Sequence, residues 1–452
     1  MSTAAQQNAM MLASLLGVGE AEAAEKLKRT VLITAEAGWK TRWGNEVGAL
    51  LGRTLLVQME PVAKAPDLEL VVGEVEPKTE AKRLFTDIDR VGFVVATEPQ
   101  RLRKAEPHRL YCAAAACAAA AASLRSAIDE PALPEVRLPI RLDFSQLGVP
   151  AGALERGLDL TGAVMAGAGA VAHGFLQAAR HVGLRGELTI VDPKTVKGGI
   201  LNRCLYLQQG DVDSDKAKAL ALRAQGDFPD LRLMPVVVDF RDFVRDLPRP
   251  PETVFVTVDS RPARRSIQLE APHRIVDAST TDVRGVVLHS NTLPTDQACL
   301  ACIYRHVPEE FAREKSIAEG LGVDLAIVQS GFIDEAAAQR IVATHPAIDP
   351  AAIIGMAYDS LFRQLCSEQA LATPEGRQVL APFAFVSAWA GVLMTVEMLR
   401  SFAGERSTNY WSVDPWNVPL ARTRTLRPKH VGCQFCSNPA VRDVVAALWG
   451  YP

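Results

Sequence analysis

The feature that most constrains this chain is a strand, a glycine turn, a helix and a second strand that ends in an acid. A short apolar run, 163–166, is followed by a glycine turn that begins with Gly167-Ala-Gly169 and extends through Gly174, and then by a helical pattern over 175–182 that stops at a glycine. The next apolar run, 188–191, is closed by Asp192. This order predicts one βαβ unit of the dinucleotide-binding type within a parallel sheet.

Neither the turn nor the acid identifies a ligand by itself. Backbone N–H groups at a helix N-terminus favour phosphate, but such turns also arise simply from tight packing of a strand against a helix. Asp192 stands about 25 residues after Gly167, where an acid would bind ribose hydroxyls, and a solvated strand-end acid is the alternative. The two features in this order predict a nucleotide-binding site.

Strand-like segments continue after this unit, at 233–238, 254–258 and 274–276, separated by helical or turn material. The predicted fold class is therefore α/β, with a doubly wound, mostly parallel sheet. Strand-like runs at 68–75 and 91–96 and an alanine-rich helix at 111–124 also occur in the N-terminal part, without a glycine loop or strand-end acid that would bind a nucleotide. The predicted domains are an inactive α/β half (1–150), the nucleotide-binding part (151–305), a helical insertion (306–373) and the remainder of the sheet domain (374–452).

The charge balance and the apolar segments exclude several classes of partner. Lys and Arg total 49 against 52 for Asp and Glu, so no bulk positive field attracts nucleic acid or anionic lipid. The longest apolar stretch, 381–394, is shorter than the roughly 20 residues that span a bilayer, and predicts a buried core helix. The first residues lack the pattern of a secretion signal, so we expect a cytoplasmic protein.

Half of the eight cysteines form two C-x-x-C pairs, Cys299 with Cys302 and Cys433 with Cys436. In a reducing cytosol this spacing favours a metal over disulfides. Zn²⁺ takes four thiolates in a tetrahedron, and each C-x-x-C turn can present two sulfurs from one side. We therefore expect a structural Zn²⁺ site, although more than 100 residues separate the two pairs.

The segment after Asp192 contains Asn202-Arg203, then Lys216, and Val258-Asp259-Ser260 stands after a later strand. This series resembles the activating-enzyme superfamily, which includes ubiquitin-activating enzymes and the bacterial adenylating enzymes that charge sulfur-carrier proteins. The positions that match the motifs of that superfamily are Val196, Leu201, Asn202, Arg203, Asp211, Val212, Lys216 and Asp259, with Arg264 at a later arginine position. The chain departs from the pattern at Ala170, Lys194, Ile200 and Cys204, of which Lys194 replaces an acid.

The resemblance implies a Rossmann-like adenylation domain that uses ATP and Mg²⁺. Gly167 and Gly169 would form the phosphate turn, and Asp192 would hold the ribose. The residues expected to neutralise the phosphates are Asn202, Arg203 and Lys216, with Asp259 holding Mg²⁺. Attack by a carboxylate on the α-phosphate builds charge that such groups must absorb, so Arg203, Lys216 and Asp259 are also the expected catalytic residues. In the resembling family a four-cysteine zinc site fastens a crossover loop and the C-terminus to this domain.

Cys366 lies ahead of the apolar helix, in an order similar to that of the family's catalytic cysteine. A thiolate can take an acyl group from an adenylate as a thioester. The alternative is a small buried side chain on an amphipathic helix. Cys204 is a second candidate beside the phosphate site, and Cys112 and Cys117 are expected in the core.

These observations predict an ATP-dependent enzyme that adenylates the C-terminal glycine of a ubiquitin-like protein, forms a thioester on Cys366 and passes the acyl group to a conjugating enzyme. The alanine-rich composition suggests a bacterial source. The alternatives are a sulfur-carrier adenylyltransferase without a thioester relay, a peptide-modifying adenylase, a nicotinamide or flavin oxidoreductase, and a non-catalytic scaffold with a zinc clip. Whether two chains pair as a homodimer stays open, and Arg42 is a guess for an arginine that reaches the phosphates from the N-terminal half.

Overall fold

The computed structural model of the chain describes residues 3–61, 64–102, 105–281, 283–305, 308–367 and 383–450. In the N-terminal part, the described residues form four α-helices and six strands. The helices are α1 (Ala4–Leu16), α2 (Glu20–Lys26), α3 (Trp39–Leu51) and α4 (Arg109–Ile128). The strands are β1 (Thr30–Ala35), β2 (Leu56–Gln58), β3 (Leu68–Val72), β4 (Lys82–Ile88), β5 (Gly92–Ala96) and β6 (Ile140–Asp143).

The first sheet has the strand order β2-β1-β3-β4-β5-β6. The first four strands in this order are parallel, whereas β5 and β6 are antiparallel to their neighbours. Strands β3 and β5 lie within the predicted strand-like runs of this region. Because β1 has β2 on one side and β3 on the other, the sheet is wound in both directions from its first strand.

The rest of the chain contains a second sheet, the helices that cover it, and the insertion. Its strands are β7 (Leu158–Asp159), β8 (Ala163–Ala166), β9 (Leu184–Val191), β10 (Leu231–Val236), β11 (Thr253–Val256), β12 (Arg274–Thr281), β13 (Gly285–Thr292), β14 (Tyr410–Val413) and β15 (Arg424–Thr425). Its helices are α5 (Ala170–Ala179), α6 (Lys216–Ala224), α7 (Phe240–Arg245), α8 (Arg261–Leu269), α9 (Leu300–Ile303), α10 (Pro308–Leu321), α11 (Leu325–Gln329), α12 (Glu335–Thr344), α13 (Tyr358–Ser367), α14 (Ala384–Phe402) and α15 (Pro439–Trp449).

The second sheet has the order β10-β9-β8-β11-β12-β13-β14-β15, and β7 pairs with β9. Strands β10, β9, β8, β11 and β12 are parallel, and the remaining three extend the sheet in antiparallel register. All four residues of β8 and of β11 are buried, as expected for strands covered on both faces. The predicted α/β fold with a doubly wound, mostly parallel sheet is therefore confirmed.

Helix α5 begins five residues earlier than the sequence pattern predicts, at Ala170, directly after Gly169 as its N-cap. The prediction extended the turn through Gly174, but this glycine lies inside the helix. The reason is helix packing, because a Cβ on Gly174 would lie 2.3 Å from the carbonyl oxygen of Ser387 on α14. The glycine therefore allows two backbones to approach closely and does not form part of the turn.

Helix α14 is the predicted core helix, and it lies between the two halves of the molecule. It packs against α5, against α4 of the N-terminal half, and against β12 and β13. Helices α4 and α14 are long and apolar enough to cross a membrane, but 78% and 83% of their apolar windows are buried inside the protein. Core helices of globular proteins show this combination of apolar composition and burial.

Helices α10 to α13 lie within 306–373, the segment for which we predict a helical insertion, and share a hydrophobic cluster of their own. The cluster is built by Ile317, Ala318, Leu321, Val328, Ile333, Ala337, Ala338, Ile341, Ile353, Met356, Tyr358, Leu361, Phe362 and Leu365. The segment docks on the second sheet domain through the guanidinium of Arg241, which lies 3.7 Å from the ring centroid of Phe332. The N-terminal turn of α13 faces the carboxyl edge of the second sheet, because Ser360 contacts Asp259 there.

Candidate functional site

The candidate site lies at the carboxyl edge of the second sheet, where the winding direction reverses. Strand β8 has β9 on one side and β11 on the other. In open α/β sheets such a reversal leaves a crevice outside the carboxyl ends of the strands, and ligands bind there. Gly167 follows β8, Asp192 follows β9 and Asp259 follows β11 after two residues, so the fold brings all three predicted residues to this edge.

The glycine turn is joined directly to the end of β11. Thr257 donates its hydroxyl to the carbonyl oxygens of Ala166 and Gly167, at 2.9 and 2.8 Å. Gly167 has a φ of +102°, and a Cβ there would lie 3.1 Å from atoms of Thr257 and Val258. Only glycine fits this position without strain, so the turn is held at a fixed distance from the residues that follow β11.

Gly169 is different, because a Cβ there would meet no protein atom within 4 Å. Its backbone has a β-region conformation that any residue can adopt, so the protein's own packing does not require a glycine. The space beside it is the cradle that an approaching phosphate would fill at the N-terminus of α5. The turn therefore fits a nucleotide phosphate.

Asp192 is buried and is bound at both carboxylate oxygens by backbone amides. Oδ2 accepts from the N–H of Ala168 at 2.7 Å, and Oδ1 accepts from the N–H of Lys194 at 2.8 Å. These bonds fix the carboxylate between the glycine turn and the segment after β9. Each oxygen retains a second lone pair, so a ribose hydroxyl can still be accepted.

Arg203 and Lys216, the two cations predicted to bind phosphate, are half-buried in the cleft. Within the part of the chain that the structure describes, the ammonium of Lys216 has no hydrogen bond or ion pair, and the guanidinium of Arg203 bonds only the side-chain oxygen of Asn202, at 2.8 Å. Burial lowers the pKa of both groups; at Lys216 the charge of Asp192 opposes this shift and the nearby ammonium of Lys194 adds to it. Partly desolvated cations without carboxylate partners attract an anionic ligand strongly.

Asn202 is buried against the N-terminal half, which sequence reasoning does not predict. Its amide nitrogen donates to Oδ1 of Asn8 on α1 at 2.8 Å, while its oxygen holds Arg203. From the same half, Arg53 donates to the carbonyl oxygens of Leu201 and Leu205, at 2.7 and 2.6 Å. The N-terminal half therefore supports the segment that carries Arg203. Arg42, the arginine guessed from sequence, pairs instead with Glu106 at 3.4 Å.

Asp259 is the acid predicted to hold a metal, and its side chain is 52% exposed. Its Oδ1 accepts from the hydroxyl of Ser360 at 2.8 Å, and Lys194 Nζ lies 3.3 Å from its Oδ2. Burial lowers the pKa of Lys194, but the charges of Asp259 and Asp192 outweigh it and the net shift is upward. Carboxylate oxygen at an open edge beside a phosphate cradle suits Mg²⁺, which prefers oxygen ligands and keeps several waters.

Sequence reasoning missed Ser360 and the partner role of Lys194. No sequence motif indicates either contact, because both depend on how the insertion and the segment after β9 fold onto the sheet. The only signal for Lys194 was its departure from the acid that the resembling family has there.

Arg264 lies behind this edge in a buried network. Its guanidinium pairs with Asp277 and donates to the carbonyl oxygen of Val258, next to Asp259. The hydroxyl of Tyr304 donates to the other oxygen of Asp277 at 2.8 Å. Arg264 therefore supports the segment that follows β11.

The four cysteines of the two C-x-x-C pairs converge, and their sulfurs all lie within 4.8 Å of one another. Cys299 Sγ is 3.8 Å from that of Cys302 and 3.7 Å from that of Cys433, and Cys302 Sγ is 3.4 Å from that of Cys436. Four thiolates around Zn²⁺, with bonds of about 2.3 Å, have edges of about 3.8 Å. The cluster fits Zn²⁺ in geometry and in donor type.

The cluster joins α9 to the C-terminal helix α15, away from the glycine turn. Trp449 on α15 donates its indole N–H to the carbonyl oxygen of Ala271 at 3.0 Å, and Arg442 pairs with Asp296 at 3.0 Å. Phe435 and Val445 pack in the same small hydrophobic cluster as the cysteines. The arrangement fastens the C-terminus to the sheet domain.

The remaining cysteines differ in surroundings. The backbone of Cys366 lies in the last turn of α13, and its side chain is outside the described residues. Cys204 is buried and burial raises its pKa, which opposes a reactive thiolate. Cys112 and Cys117 lie in the core, as expected, and burial raises the pKa of Cys112 to about 12.

The corresponding edge of the first sheet is filled by the protein's own charges. After β1, Lys40 at the start of α3 is buried and pairs with Asp87 at 2.8 Å and with Glu36 at 3.0 Å. A Cβ on Gly73, which follows β3 with a φ of +80°, would lie 2.6 Å from the carboxylate of Glu36. This edge carries a lysine and two acids where the second sheet has an open cradle.

Solved structures that match this chain include E. coli MccB with ATP, at 12% identity and a TM-score of 0.37, covering 61% of this chain and 67% of that one. E. coli MccB with MccA-N7isoASN matches at 12% identity and a TM-score of 0.38, covering 61% of this chain and 66% of that one. PaaA matches at 14% identity and a TM-score of 0.24, over 30% of this chain and 41% of that one. This chain thus spans about two thirds of the first two proteins.

A curated relative is the uncharacterized protein y4jF of Sinorhizobium fredii (strain NBRC 101917 / NGR234). It is 25% identical over 266 residues, which cover 55% of this chain and 50% of that protein, so this chain spans half of its length. The model of the E1 N-terminal domain matches residues 1–150, and the model of the ThiF family matches residues 153–435. The chain therefore belongs to the ThiF family.

Proposed function

We infer that this protein uses MgATP to adenylate the C-terminal carboxylate of a peptide or small protein, a ubiquitin-like protein ending in glycine being the leading candidate. One observation carries the proposal. Gly169, Asp192 and Asp259 follow neighbouring strands at the switch point of the second sheet, and Lys216, which has no ion pair among the described residues, is joined to this edge by its backbone bond to Lys194, which supports the proposal. A nicotinamide or flavin dinucleotide also carries a pyrophosphate, but its chemistry needs no metal-binding acid such as Asp259 beside the phosphates.

Each residue has a definite task in this reaction. Asp192, already fixed by two backbone amides, accepts the ribose hydroxyls, and Gly169 leaves space for the phosphates at the N-terminus of α5. Arg203 and Lys216 attract the phosphates and stabilise the negative charge that grows on the α-phosphate as the carboxylate attacks. Asp259 would hold Mg²⁺, which when bound neutralises phosphate charge and makes pyrophosphate a better leaving group.

The test is an exchange assay with radiolabelled pyrophosphate, ATP and candidate peptides that end in glycine. Adenylation is reversible, so label should enter ATP only when an acceptable carboxylate is present. Asp259→Ala is expected to abolish exchange, and Lys216→Met to reduce it by about 10²-fold or more, since each removes charge that the transition state needs. Lys218→Met is the matched control, because Lys218 pairs with Asp215 on the exposed face of the same helix. Exchange that survives Asp259→Ala would contradict the assignment.

A thioester relay on Cys366 is the finer form of the proposal. What supports it is the position of α13, because Ser360 in its first turn donates to Asp259. Cys366 is six residues after Ser360 on the same helix. Its backbone therefore lies about 9 Å further along the helix axis than that of Ser360. The E1 N-terminal model that matches residues 1–150 also favours the ubiquitin-type arrangement with its conjugating enzyme.

Cys366→Ala separates this relay from adenylation alone. If the relay operates, the wild type forms a thioester with its partner, which an added thiol reagent cleaves. The variant should keep pyrophosphate exchange but no longer form this adduct. Cys112→Ala is the matched control for loss of a thiol. An adduct that persists in Cys366→Ala rejects this cysteine, and exchange without any adduct in the wild type favours a sulfur-carrier or peptide-modifying adenylase.

A further inference from the structure

Lys194 occupies an unusual position among the charges of the cleft. Its Nζ lies 3.4 Å from Oδ1 and 3.3 Å from Oδ2 of Asp259, the acid assigned to the metal. Its backbone N–H donates to Asp192, and its carbonyl oxygen accepts from the N–H of Lys216 at 2.9 Å. One residue therefore contacts both acids of the site and the residue that carries the free cation.

The backbone of Lys194 is fixed, so its side chain starts from a defined point. Beyond the bonds to Asp192 and Lys216, the next residue, Thr195, forms a β-bridge with Asp215 just before α6. The side chain of Lys194 is only 20% exposed, in contrast to 64% for Lys218 on the outer face of α6. A lysine that served only solubility would not be held inside the cleft in this way.

The ion pair between Lys194 and Asp259 is not compatible with a metal on the same carboxylate. An ammonium about 3 Å from the oxygens that bind a divalent cation would be strongly repelled by it. When MgATP binds, the ammonium must therefore move away from Asp259. The nearest new anion is the polyphosphate, because Lys216, joined to Lys194 through the backbone, is assigned to it.

We propose that Lys194 is a third phosphate-binding residue, which is held on Asp259 in the nucleotide-free protein and moves to the polyphosphate when MgATP binds. The inference rests on the proposed function of this cleft. It gives a role to the position at which the chain has a lysine where the resembling family has an acid. The lysine also competes with the metal for Asp259, so the metal binds well only together with the nucleotide.

The test uses Lys194→Met, which keeps the apolar stem, and Lys194→Arg, which keeps the charge. Titration calorimetry with MgATP should show binding to Lys194→Met weakened by about 10- to 100-fold, the value of one charge-assisted hydrogen bond, with Lys194→Arg close to wild type. Adenosine lacks phosphates, so its affinity should not change. Lys218→Met should bind both ligands like the wild type.

Titration with Mn²⁺ alone, monitored by the electron paramagnetic resonance signal of free Mn²⁺, measures metal affinity without the nucleotide. Here the expected effect of Lys194→Met is opposite to its effect on MgATP affinity. Mn²⁺ should bind more tightly to Lys194→Met, because the competing ammonium is gone. Equal weakening of Mn²⁺, adenosine and MgATP would indicate structural damage and overturn the inference, as would unchanged MgATP affinity. If the wild type binds neither MgATP nor adenosine, the proposed function itself fails, whereas normal wild-type binding with no effect at Lys194 rejects only this inference.

Discussion

His173 shows how strongly the cleft controls single residues. It lies on α5, three residues into the helix after the glycine turn, and is fully buried. Its Nδ1 accepts from the backbone N–H of Tyr206 at 3.2 Å, which requires the neutral ring. Burial lowers its pKa to about 3, and the charges of Arg53 and Lys216 act in the same direction.

This imidazole makes stability depend on pH below neutrality. The pKa of His173 is lower in the folded protein than in the unfolded chain, where it is about 6.5. Its contribution is therefore fully present above pH 6.5 and is lost as the pH falls from 6.5 towards 3, by up to about 1.4 kcal/mol per pH unit. We expect His173→Asn, whose Oδ1 can still accept from Tyr206, to show a shallower loss of unfolding free energy between pH 6.5 and 5.

Urea unfolding at several pH values measures this slope. His345→Gln, in the insertion, is the control for loss of an imidazole elsewhere. An unchanged slope in His173→Asn would mean that the buried ring takes up a proton without cost, contrary to its surroundings.

Residue types were predictable in this cleft, but their electrostatic partners were not. The resemblance to a known superfamily predicted Asp192, Arg203, Lys216 and Asp259 as parts of one nucleotide site, and the predicted parallel sheet explains why Asp192 and Asp259 lie at the same edge. It could not predict that Lys194 pairs with Asp259, because that contact requires the folded path after β9.

At the scale of elements, the crossing of α5 and α14 holds the sheet domain together. The two helices meet glycine to glycine, because a Cβ on Gly391 would lie 1.9 Å from the carbonyl carbon of Gly174. The alanine-rich α4 packs against the same pair. Small residues thus let three helices approach closely between the two sheets.

Gly391→Ala should therefore be strongly destabilising. The new methyl group meets backbone atoms that cannot rotate away, so the helices must separate, at a cost of about 1–3 kcal/mol or more. Guanidinium unfolding measures the difference. Gly226→Ala is the control, because a Cβ at that position meets nothing within 4 Å. A Gly391→Ala protein as stable as the wild type would show that this crossing is not tightly packed.

The sequence pattern predicted most strands of the second sheet and its core helix, whereas the first and last residues of these elements depend on packing. Strand β8 lies at its predicted residues, 163–166. Helix α5 begins before its predicted start because Gly174 lies inside the helix, where it allows close contact with α14. The sequence does not show whether a single glycine is needed for a turn or for such a contact. Strands β1, β2, β4 and β6 of the first sheet were not predicted, since short buried runs resemble helix segments.

At the scale of the whole molecule, the chain joins a sheet with a charge-filled edge, a sheet with an open cleft, an insertion and a zinc-type clip. Asn8 and Arg53 connect the first half to the segment that carries Arg203. Ser360 connects the insertion to Asp259. The pairing of distant cysteines was predictable from spacing alone, but these connections between parts were not, because polar contacts across domains have no local signature.

Metal removal should loosen the C-terminal part of the molecule. We expect one Zn²⁺ per chain in the purified protein and none in Cys436→Ser, because structural zinc requires all four thiolates. The melting temperature should fall by about 5 °C or more, and proteolysis of α15 should become faster. Cys117→Ala, which leaves the cluster intact, should retain zinc. Full zinc content in Cys436→Ser would show that this cysteine is not a ligand.

The most direct test of the cleft as a phosphate site is a crystal structure with Mg²⁺ and an ATP analogue. In this analogue a group that cannot be cleaved replaces the oxygen between the α- and β-phosphates. The account predicts the ribose at Asp192, the phosphates at Arg203 and Lys216, and the metal at Asp259. A nucleotide bound elsewhere, or phosphates that point away from Lys216 and Asp259, would contradict it.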